Sequence, residues 1–418
     1  MEINDPQNNV KYDVIIYGAS SFTGKLVLEY FFINHLNDPQ LTWAIAGRNH
    51  KKLMQALAET SKSNPEHNNT EIPIVIADCH NELSLNQLAK QAKVILTTVG
   101  PYAKYGSKLV SACVENGTDY CDLAGETQWI RKMIDRHQEK AEQTGARIVH
   151  ACGFDSIPSD MGVFYMQEIA RKKYQKPLMK IQLFVKAMRG GASGGTIASI
   201  LNVIAEGGAD RNIARTVSHP YGLNPKDKQT GPDTRDQNTI TYNRDLDCWT
   251  APFFMASINT RIVRRSNALM NFNYGEDFSY TESTICGKKA SGWIKAIFLT
   301  LTLGLFFLGS ANRITRKYFI EKLLPKPGQG PNKEQRDNGF FKLIMLGRTK
   351  DGERLSIEVT GDRDPGYGST SKILSETAIC LASDKIDTKG GIWTPASALG
   401  GKLLLRLQTN AGMTFKIL

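Results

Sequence analysis

The first third of the chain alternates short apolar runs with longer stretches whose apolar residues recur at helical spacing. The apolar runs are rich in Val and Ile and lie at 12–17, 41–46, 72–77, 94–99, 119–123 and 147–151. Runs that are apolar on both faces and separated by helical stretches are typical of a parallel sheet with helices on both sides. The pattern therefore predicts a doubly wound α/β domain over residues 1–160.

The pattern changes after about residue 160, where strands become more frequent and helices fewer. The predicted elements are strands at 179–186, 340–347 and 354–361, and helices at 194–207 and 371–383. Asp351-Gly352 between the last two strands is typical of a hairpin turn. Strands and helices in this arrangement predict a separate α+β domain over residues 161–418, which we expect to serve the substrate or oligomerisation.

Length and cysteine content limit the class of protein. A chain of 418 residues is too long for one ordinary core, which agrees with two domains. The seven cysteines form no CxxC pair and are odd in number, so we predict neither a disulfide framework nor a metal site. The polar start of the chain lacks the apolar core of a signal peptide, so we expect a cytoplasmic protein.

Positive charge is concentrated in one part of the chain. Residues 1–170 hold 15 basic and 20 acidic residues, whereas 284–350 hold 13 basic and three acidic residues. A basic surface of this kind attracts phosphate groups. Because the basic part contains no nucleic-acid-binding motif and no stripe of interleaved aromatic residues, we do not expect nucleic acid as a partner.

An apolar segment lies within the basic part, at 293–312, and residues 296–312 carry no charge. The uncharged run of seventeen residues is shorter than the roughly 20 that a transmembrane helix needs, and Gly304 and Gly309 interrupt it. Three interpretations stay open: a helix buried in the core or in a homodimer interface, a helix on an anionic membrane surface, and a membrane span. The second would place the protein peripherally on the inner face of the plasma membrane, through residues 284–350.

The first strand runs directly into a glycine-rich turn and then into a helical stretch. The turn consists of Gly18, Ala19, Ser20, Ser21, Phe22, Thr23 and Gly24. The first glycine permits a tight turn close to a diphosphate, and the last lets the helix pack closely on the sheet. A serine replaces the middle glycine of the usual dinucleotide motif. The context predicts a dinucleotide site, and a turn that binds nothing is the alternative.

The ends of the next strands indicate which dinucleotide binds. Arg48 and Asn49 follow the second strand, where an NAD-selective site usually has an acidic residue. A guanidinium there can pair with a 2′-phosphate, so NADP is favoured over NAD, with a solvated, helix-capping Arg48 as the alternative. Asp78 ends the third strand and is predicted either to accept a hydrogen bond from the adenine or to cap a helix.

A further turn follows the fourth strand. Its residues Val99, Gly100, Pro101 and Tyr102 lie where the nicotinamide ribose is expected, because ligands of doubly wound sheets bind beyond the carboxyl ends of the strands. Tyr102 either points into the crevice or packs against the turn. The pattern does not decide between these two positions.

Several motifs in this order resemble those of the saccharopine dehydrogenase-like oxidoreductases, in the branch that includes the trans-acting enoyl reductases. They are GASSFTG at 18–24, AGRN at 46–49, VGPY at 99–102, YCDLAGE at 120–126 and CGFDSIPSD at 152–160, with thinner matches at 190–196 and 362–370. The resemblance implies an NADP-binding Rossmann domain and a mixed second domain that completes the cleft. It also implies lipid substrates, as in lipid and glycolipid metabolism.

No residue is firmly assigned to catalysis. The proton-donor candidates follow the fourth and sixth strands and are Tyr102, His150 and Asp155. His150 can equally be a hydrogen-bonded structural histidine, and Asp155 a helix cap. A Tyr-x-x-x-Lys pair of the short-chain reductase type is absent from the predicted cofactor domain.

Two functions follow from these observations. The first is an NADPH-dependent oxidoreductase that reduces a C=C or C=O bond of a lipid-like or acyl substrate. The second is a catalytically weak dinucleotide-binding scaffold or sensor that docks to a membrane surface.

Overall fold

A computed structural model of the protein describes residues 10–67, 71–191, 194–316, 318 and 330–418. Within these ranges the strands form two seven-stranded sheets. The strands are β1 (Tyr12–Tyr17), β2 (Trp43–Gly47), β3 (Ile74–Ile76), β4 (Ala92–Thr97), β5 (Asp119–Cys121), β6 (Arg147–Val149), β7 (Lys180–Arg189), β8 (Thr241–Asn243), β9 (Cys248–Pro252), β10 (Ser279–Gly287), β11 (Phe340–Arg348), β12 (Arg354–Gly361), β13 (Gly391–Trp393) and β14 (Met413–Ile417).

Helices connect most of these strands. They are α1 (Phe22–His35), α2 (His50–Ser63), α3 (Glu82–Ala89), α4 (Tyr102–Tyr105), α5 (Ser107–Asn116), α6 (Thr127–Thr144), α7 (Ile157–Tyr174), α8 (Gly194–Ala209), α9 (Arg211–Ser218), α10 (Ala256–Leu269), α11 (Lys289–Ala311), α12 (Arg313–Thr315), α13 (Lys333–Asp337), α14 (Thr370–Ser383) and α15 (Pro395–Thr409).

The first sheet has the strand order β13-β6-β5-β4-β1-β2-β3, and every neighbouring pair is parallel. Strand β2 is buried at every position and β4 at every position but Lys93, as the apolar runs predict. The direction in which strands are added reverses between β1 and β4, and doubly wound sheets bind ligands beyond the strand ends at such a point. The predicted α/β fold with a dinucleotide-binding sheet is confirmed.

The second sheet is mixed, with the order β14-β12-β11-β7-β10-β9-β8. Only β7 and β10 form a parallel pair, and the other neighbours are antiparallel. The predicted hairpin joins β11 and β12, with Gly352 at φ +96° in its turn. On one face α7 packs closely, because Gly162 has no side chain to collide with Met345, whose sulfur would lie 2.6 Å from an added Cβ.

The chain divides into two compact units, and the division differs from the predicted boundary at residue 160. The first unit comprises the chain up to Ala124, Lys132–Phe154 and Tyr367–Ala411; the second comprises Gly125–Arg131, Asp155–Gly366 and Gly412–Leu418. The prediction assigned everything after residue 160 to the second domain. The C-terminal part returns to the first unit because β13 pairs with β6 at the sheet edge.

A buried carboxylate holds this returning segment in place. Glu376 of α14 is fully buried and accepts hydrogen bonds from the Tyr30 hydroxyl of α1 (2.6 Å), from Arg406 (3.2 Å) and from Asn410 (3.0 Å). Arg406 also forms a two-pronged pair with Asp384, with both distances 2.8 Å. A carboxylate withdrawn from water needs such partners, so these contacts fix α14 and α15 on α1.

The apolar segment forms α11, which is long and apolar enough to cross a membrane, with a mean hydropathy of 1.8 in its most apolar window. Only 11% of that window is buried. The interpretation of a helix buried in the core of this chain is therefore wrong. Exposure does not separate the two membrane interpretations from a homodimer interface, which stay predictions.

We expect Arg406→Ala to lower the free energy of unfolding by about 2–4 kcal/mol, because it leaves the buried Glu376 carboxylate without its cation. Lys402→Ala, on the exposed side of the same helix, should change it by less than about 0.5 kcal/mol. Urea denaturation of both variants measures the difference. Equal effects of the two substitutions would contradict the role assigned to Glu376.

Candidate functional site

Two glycines allow the turn after β1 to pack tightly. Gly18 has a φ of +91°, and a Cβ on it would lie 2.6 Å from the Val99 side chain. A Cβ on Gly24 would overlap the carbonyl oxygen of Gly18. Both positions therefore exclude side chains. As a result, the amino end of α1 packs directly against the turn that follows β1, next to the residues that follow β4.

The first turn of α1 combines a helix cap with partly exposed residues. Ser21 is the N-cap, and its hydroxyl accepts a hydrogen bond from the Gly24 amide (2.9 Å) and lies 3.0 Å from the Thr98 hydroxyl. This serine therefore caps the helix. Ala19 is buried, and Ser20, Phe22 and Thr23 are partly exposed. A helix N-terminus whose residues are partly exposed favours an anion there.

Arg48 lies exposed immediately after β2. The neighbouring Asn49 caps α2 by accepting a hydrogen bond from the Lys52 amide (3.1 Å). The alternative in which Arg48 caps this helix is wrong, because the asparagine side chain does so. The guanidinium is left at the carboxyl edge of the sheet, where it suits a phosphate.

Asp78 follows β3 and accepts a hydrogen bond from the His80 amide (3.0 Å). This bond, and to a smaller extent Arg48 nearby, holds the pKa of Asp78 below its ordinary value. Asn81 caps α3, so Asp78 is not the helix cap. Cys79 and His80 bring ligand atoms within 4.8 Å of the Asp78 carboxylate. Burial raises the pKa of the Cys79 thiol, which disfavours the thiolate that a metal needs.

Tyr102 is packed in the turn that follows β4. The turn contains Val99 and the cis Gly100–Pro101 peptide bond, and it leads into α4, whose first residue is Tyr102. The tyrosine is 4% exposed. Its hydroxyl donates to the Thr97 carbonyl (3.1 Å) and accepts from the Leu123 amide (3.1 Å). The geometry therefore favours the packed tyrosine over one that points into a crevice.

A buried carboxylate also links the ends of β5 and β6. Asp122 accepts hydrogen bonds from the Tyr120 hydroxyl (2.9 Å), the Ala124 amide (2.9 Å) and the Ala151 amide (3.1 Å). Its Oδ2 lies 2.7 Å from His150 Nδ1. His150 is 1% exposed, and Ala151 has a φ of +62°, a strained conformation for a residue other than glycine. The arrangement is that of a rigid loop support, which agrees with the structural interpretation of the histidine.

Asp155 differs from the other two proton-donor candidates. It is partly exposed and begins the longest segment of the second unit, shortly after β6. Withdrawal of its carboxyl group from water raises its pKa to about 6. Ser156 occupies the N-cap position of α7 without a capping side-chain hydrogen bond. A carboxyl group whose pKa is raised to about 6 keeps its proton in mildly acidic solution, where it can act as a general acid.

A buried polar network adjoins Asp155 in the second unit. The hydroxyl of Ser156 donates to Asn259 (3.1 Å), and the Asn259 amide donates to Glu282 (3.0 Å). Glu282 also accepts from Ser159 (2.6 Å) and Tyr280 (2.7 Å). Burial raises the pKa of Glu282 to about 7. No pattern along the chain predicts this network, because its members lie on three separate elements.

Tyr367 is a second residue that the sequence did not single out for the site. It is buried, and its ring packs edge-on against Phe22 in the first turn of α1, with 4.5 Å between the ring centroids. The returning C-terminal segment thus supports the glycine-rich turn. The sequence signal for Tyr367 was the weak resemblance to a family motif at residues 362–370. That resemblance did not indicate which part of the chain Tyr367 contacts.

Comparison with known proteins identifies the family. A model of the saccharopine dehydrogenase NADP-binding domain matches residues 14–149. A Mycobacterium tuberculosis protein whose name describes a trans-acting enoyl reductase is 38% identical over 412 residues, 95% of each chain. The chain belongs to the saccharopine dehydrogenase-like oxidoreductases. The trans-acting enoyl reductase of Mycobacterium leprae, 35% identical over 410 residues, covers 95% of this chain and 96% of its own length.

Solved structures show the same fold. Apo saccharopine dehydrogenase (L-Glu forming) from Saccharomyces cerevisiae covers 98% of this chain and 100% of its own, with a TM-score of 0.52 and 9% identity. Homospermidine synthase from Legionella pneumophila, solved with NAD, covers 97% of this chain and 90% of its own, with a TM-score of 0.53 and 9% identity.

The cofactor of this saccharopine dehydrogenase-like oxidoreductase is NADP(H). The residues present fit such a group. Gly18 and Gly24 let the amino end of α1 pack against the turn after β1, where a diphosphate is favoured, and the exposed Arg48 follows β2. The roles of the individual residues stay predictions. Those for which the structure shows another contact are Ser21, Asn49, Asp78 and Tyr102.

We expect Arg48→Ala to weaken NADPH binding by about 1.5–3 kcal/mol, or roughly 10- to 100-fold in Kd, because a charged partner of the 2′-phosphate is lost. NADH binding should stay nearly unchanged, since NADH has no such phosphate. Fluorescence titration with both nucleotides measures this, with the exposed Lys52→Ala of α2 as control. An equal increase in the Kd for both nucleotides would contradict the assignment of Arg48 to the 2′-phosphate.

Glu282 is expected to make stability depend on pH. Its pKa is raised from 4.5 to about 7, so the unfolded chain loses this proton first and the free energy of unfolding falls as pH rises between these values. The loss is about 3 kcal/mol. Glu282→Gln should therefore flatten the decrease between pH 5 and pH 8, as read by urea denaturation. Glu139→Gln, at an exposed position of α6, serves as the control. If the free energy of unfolding of Glu282→Gln falls with pH as steeply as that of the wild type, Glu282 is not the group responsible.

Proposed function

We propose that the chain uses NADPH to reduce the C=C bond of an acyl, lipid-like substrate, with a C=O bond as the less favoured target. Asp155 carries the proposal, because this partly exposed residue has a carboxyl group with a pKa of about 6 in an NADP-binding oxidoreductase. The names of the relatives favour the C=C bond, since two of them are described as enoyl reductases over 95% of this chain.

The chain's own groups divide the work of the reduction. The amino end of α1 would hold the diphosphate, and Arg48 the 2′-phosphate. NADPH, when bound, supplies a hydride for the β carbon of the double bond. Protonated Asp155 would then deliver a proton to the α carbon, which leaves a saturated acyl group and an ionised carboxylate that water reprotonates. His150 and Tyr102 would support the surrounding loops.

The place of action is part of the proposal. We infer that the protein works in the cytoplasm, at the inner face of an anionic membrane that residues 284–350 contact. The basic excess of this segment and the exposure of α11 support the inference. A homodimer through the same helix is the competing arrangement.

A catalytically weak scaffold or sensor is the second candidate. Two of the three predicted proton donors, His150 and Tyr102, are buried and hydrogen-bonded within loops, which favours this alternative. The two candidates differ in turnover. Oxidation of NADPH by the purified protein in the presence of enoyl thioesters supports the reductase, whereas tight NADPH binding without oxidation supports the sensor.

We expect Asp155→Asn to lower kcat by about 10²- to 10⁴-fold, because an amide cannot donate the proton, while the Kd for NADPH stays unchanged. The kcat of the wild type should fall as pH rises above about 6, since ionisation removes the acid. NADPH oxidation followed from pH 5 to pH 8 measures both effects.

Asp351→Asn, in the exposed hairpin, is the matched control and should behave as the wild type. Full activity of Asp155→Asn with loss of activity in His150→Gln would transfer the donor role to the histidine. In that case the Asp155 assignment is rejected.

A further inference from the structure

Five large apolar side chains form one stripe along α11. Ile294, Phe298, Leu301, Leu305 and Leu308 are spaced alternately four and three residues apart, which places them on one face of the helix. Each is between 60% and 73% exposed. Soluble monomers rarely leave a continuous apolar surface of this kind uncovered.

The opposite face of α11 is fixed to the second sheet. Ala296 is buried against Ala251 and Cys286, which lie on β9 and β10. Gly292 is also buried, and a Cβ on it would overlap the carbonyl of Gly287 at the end of β10. The helix therefore cannot rotate its stripe inward without losing these contacts, so another surface must cover it.

The charge around α11 identifies that surface. Lys288, Lys289 and Lys295 precede the uncharged run 296–312, and Arg313, Arg316 and Lys317 follow it in the sequence. A bilayer with anionic headgroups matches both the apolar stripe and the cationic ends. A second copy would bring the same basic segments together, and like charges repel one another.

The length of the apolar run decides how the helix lies in the membrane. The 23 residues of α11 are enough to cross a bilayer. The seventeen residues 296–312, which carry no charge, reach only about 25 Å along a helix, whereas a bilayer core is about 30 Å thick. The amino end is also tied to the sheet through Gly292 and Ala296. A helix lying in the plane of the headgroup boundary fits both constraints.

We propose that α11 docks the protein on an anionic lipid bilayer, with the stripe from Ile294 to Leu308 turned into the membrane. The proposal rests on the proposed function in one respect, namely that the acyl substrate then partitions into the same bilayer. Docking itself does not require that the reductase assignment be correct.

Flotation of the full chain with vesicles tests the docking. The wild type should float with phosphatidylcholine–phosphatidylglycerol vesicles and roughly tenfold less with phosphatidylcholine alone. Leu301→Asp combined with Leu305→Asp should abolish flotation. The matched control changes two leucines exposed elsewhere, Leu83→Asp with Leu405→Asp, which are 77% and 61% exposed and should leave flotation unchanged. Thermal unfolding and NADPH titration verify that each variant is folded.

Three results would overturn the proposal. The first is a wild type that does not float, the second is equal flotation of the stripe variant, and the third is membrane protein that resists extraction at alkaline pH, which would indicate a span. A dimer that the stripe variant dissociates, with no vesicle binding, identifies a second copy as the occupant instead. Reduction of a water-soluble enoyl thioester without vesicles is measured separately, so failure of the reductase assignment is distinguishable from failure of docking.

Discussion

The close approach of Gly24 to the carbonyl of Gly18 is the constraint on which the dinucleotide-binding end of the first sheet depends. It sets the amino end of α1 directly on the turn after β1, and the same turn presses on Val99 after β4. Any side chain at either glycine would separate the helix from the strands. The contact between Gly24 and Gly18 sets the position of the first turn of α1. The Ser21 cap and the ring of Tyr367, which packs on Phe22, both contact this turn.

Three buried carboxylates hold other loops and helices in place, each within its own unit. Asp122 joins the loops after β5 and β6, Glu376 holds the returning C-terminal segment, and Glu282 lies beneath the start of α7. Each accepts at least three hydrogen bonds, which is what makes a carboxylate tolerable away from water. Such groups stabilise little relative to apolar residues, but they tie specific loops and helices to specific places.

Much of the first sheet could be predicted from the sequence, because six of its seven strands are apolar runs separated by helical stretches. The seventh, β13, has three residues and no periodicity, and its partner β6 lies more than two hundred residues earlier in the chain. The glycine turn was predictable from local sterics. The roles of Asn49 and Tyr102 were not, because one replaces its neighbour as helix cap and the other bonds to a loop after a different strand. Glu282 reads as a polar position in the sequence, and only tertiary contacts bury it.

The pairing of β13 with β6 has a consequence for biosynthesis. A ribosome completes β6 long before it reaches Gly391, and at 5–20 residues per second the interval is on the order of tens of seconds. During that time β6 lacks its partner strand β13, and α1 lacks its contacts with α14. An unpaired strand edge can pair with strands of other chains. The nascent chain therefore has a period of exposure in which a chaperone would find its binding surface, and expression without one should favour aggregates over native protein.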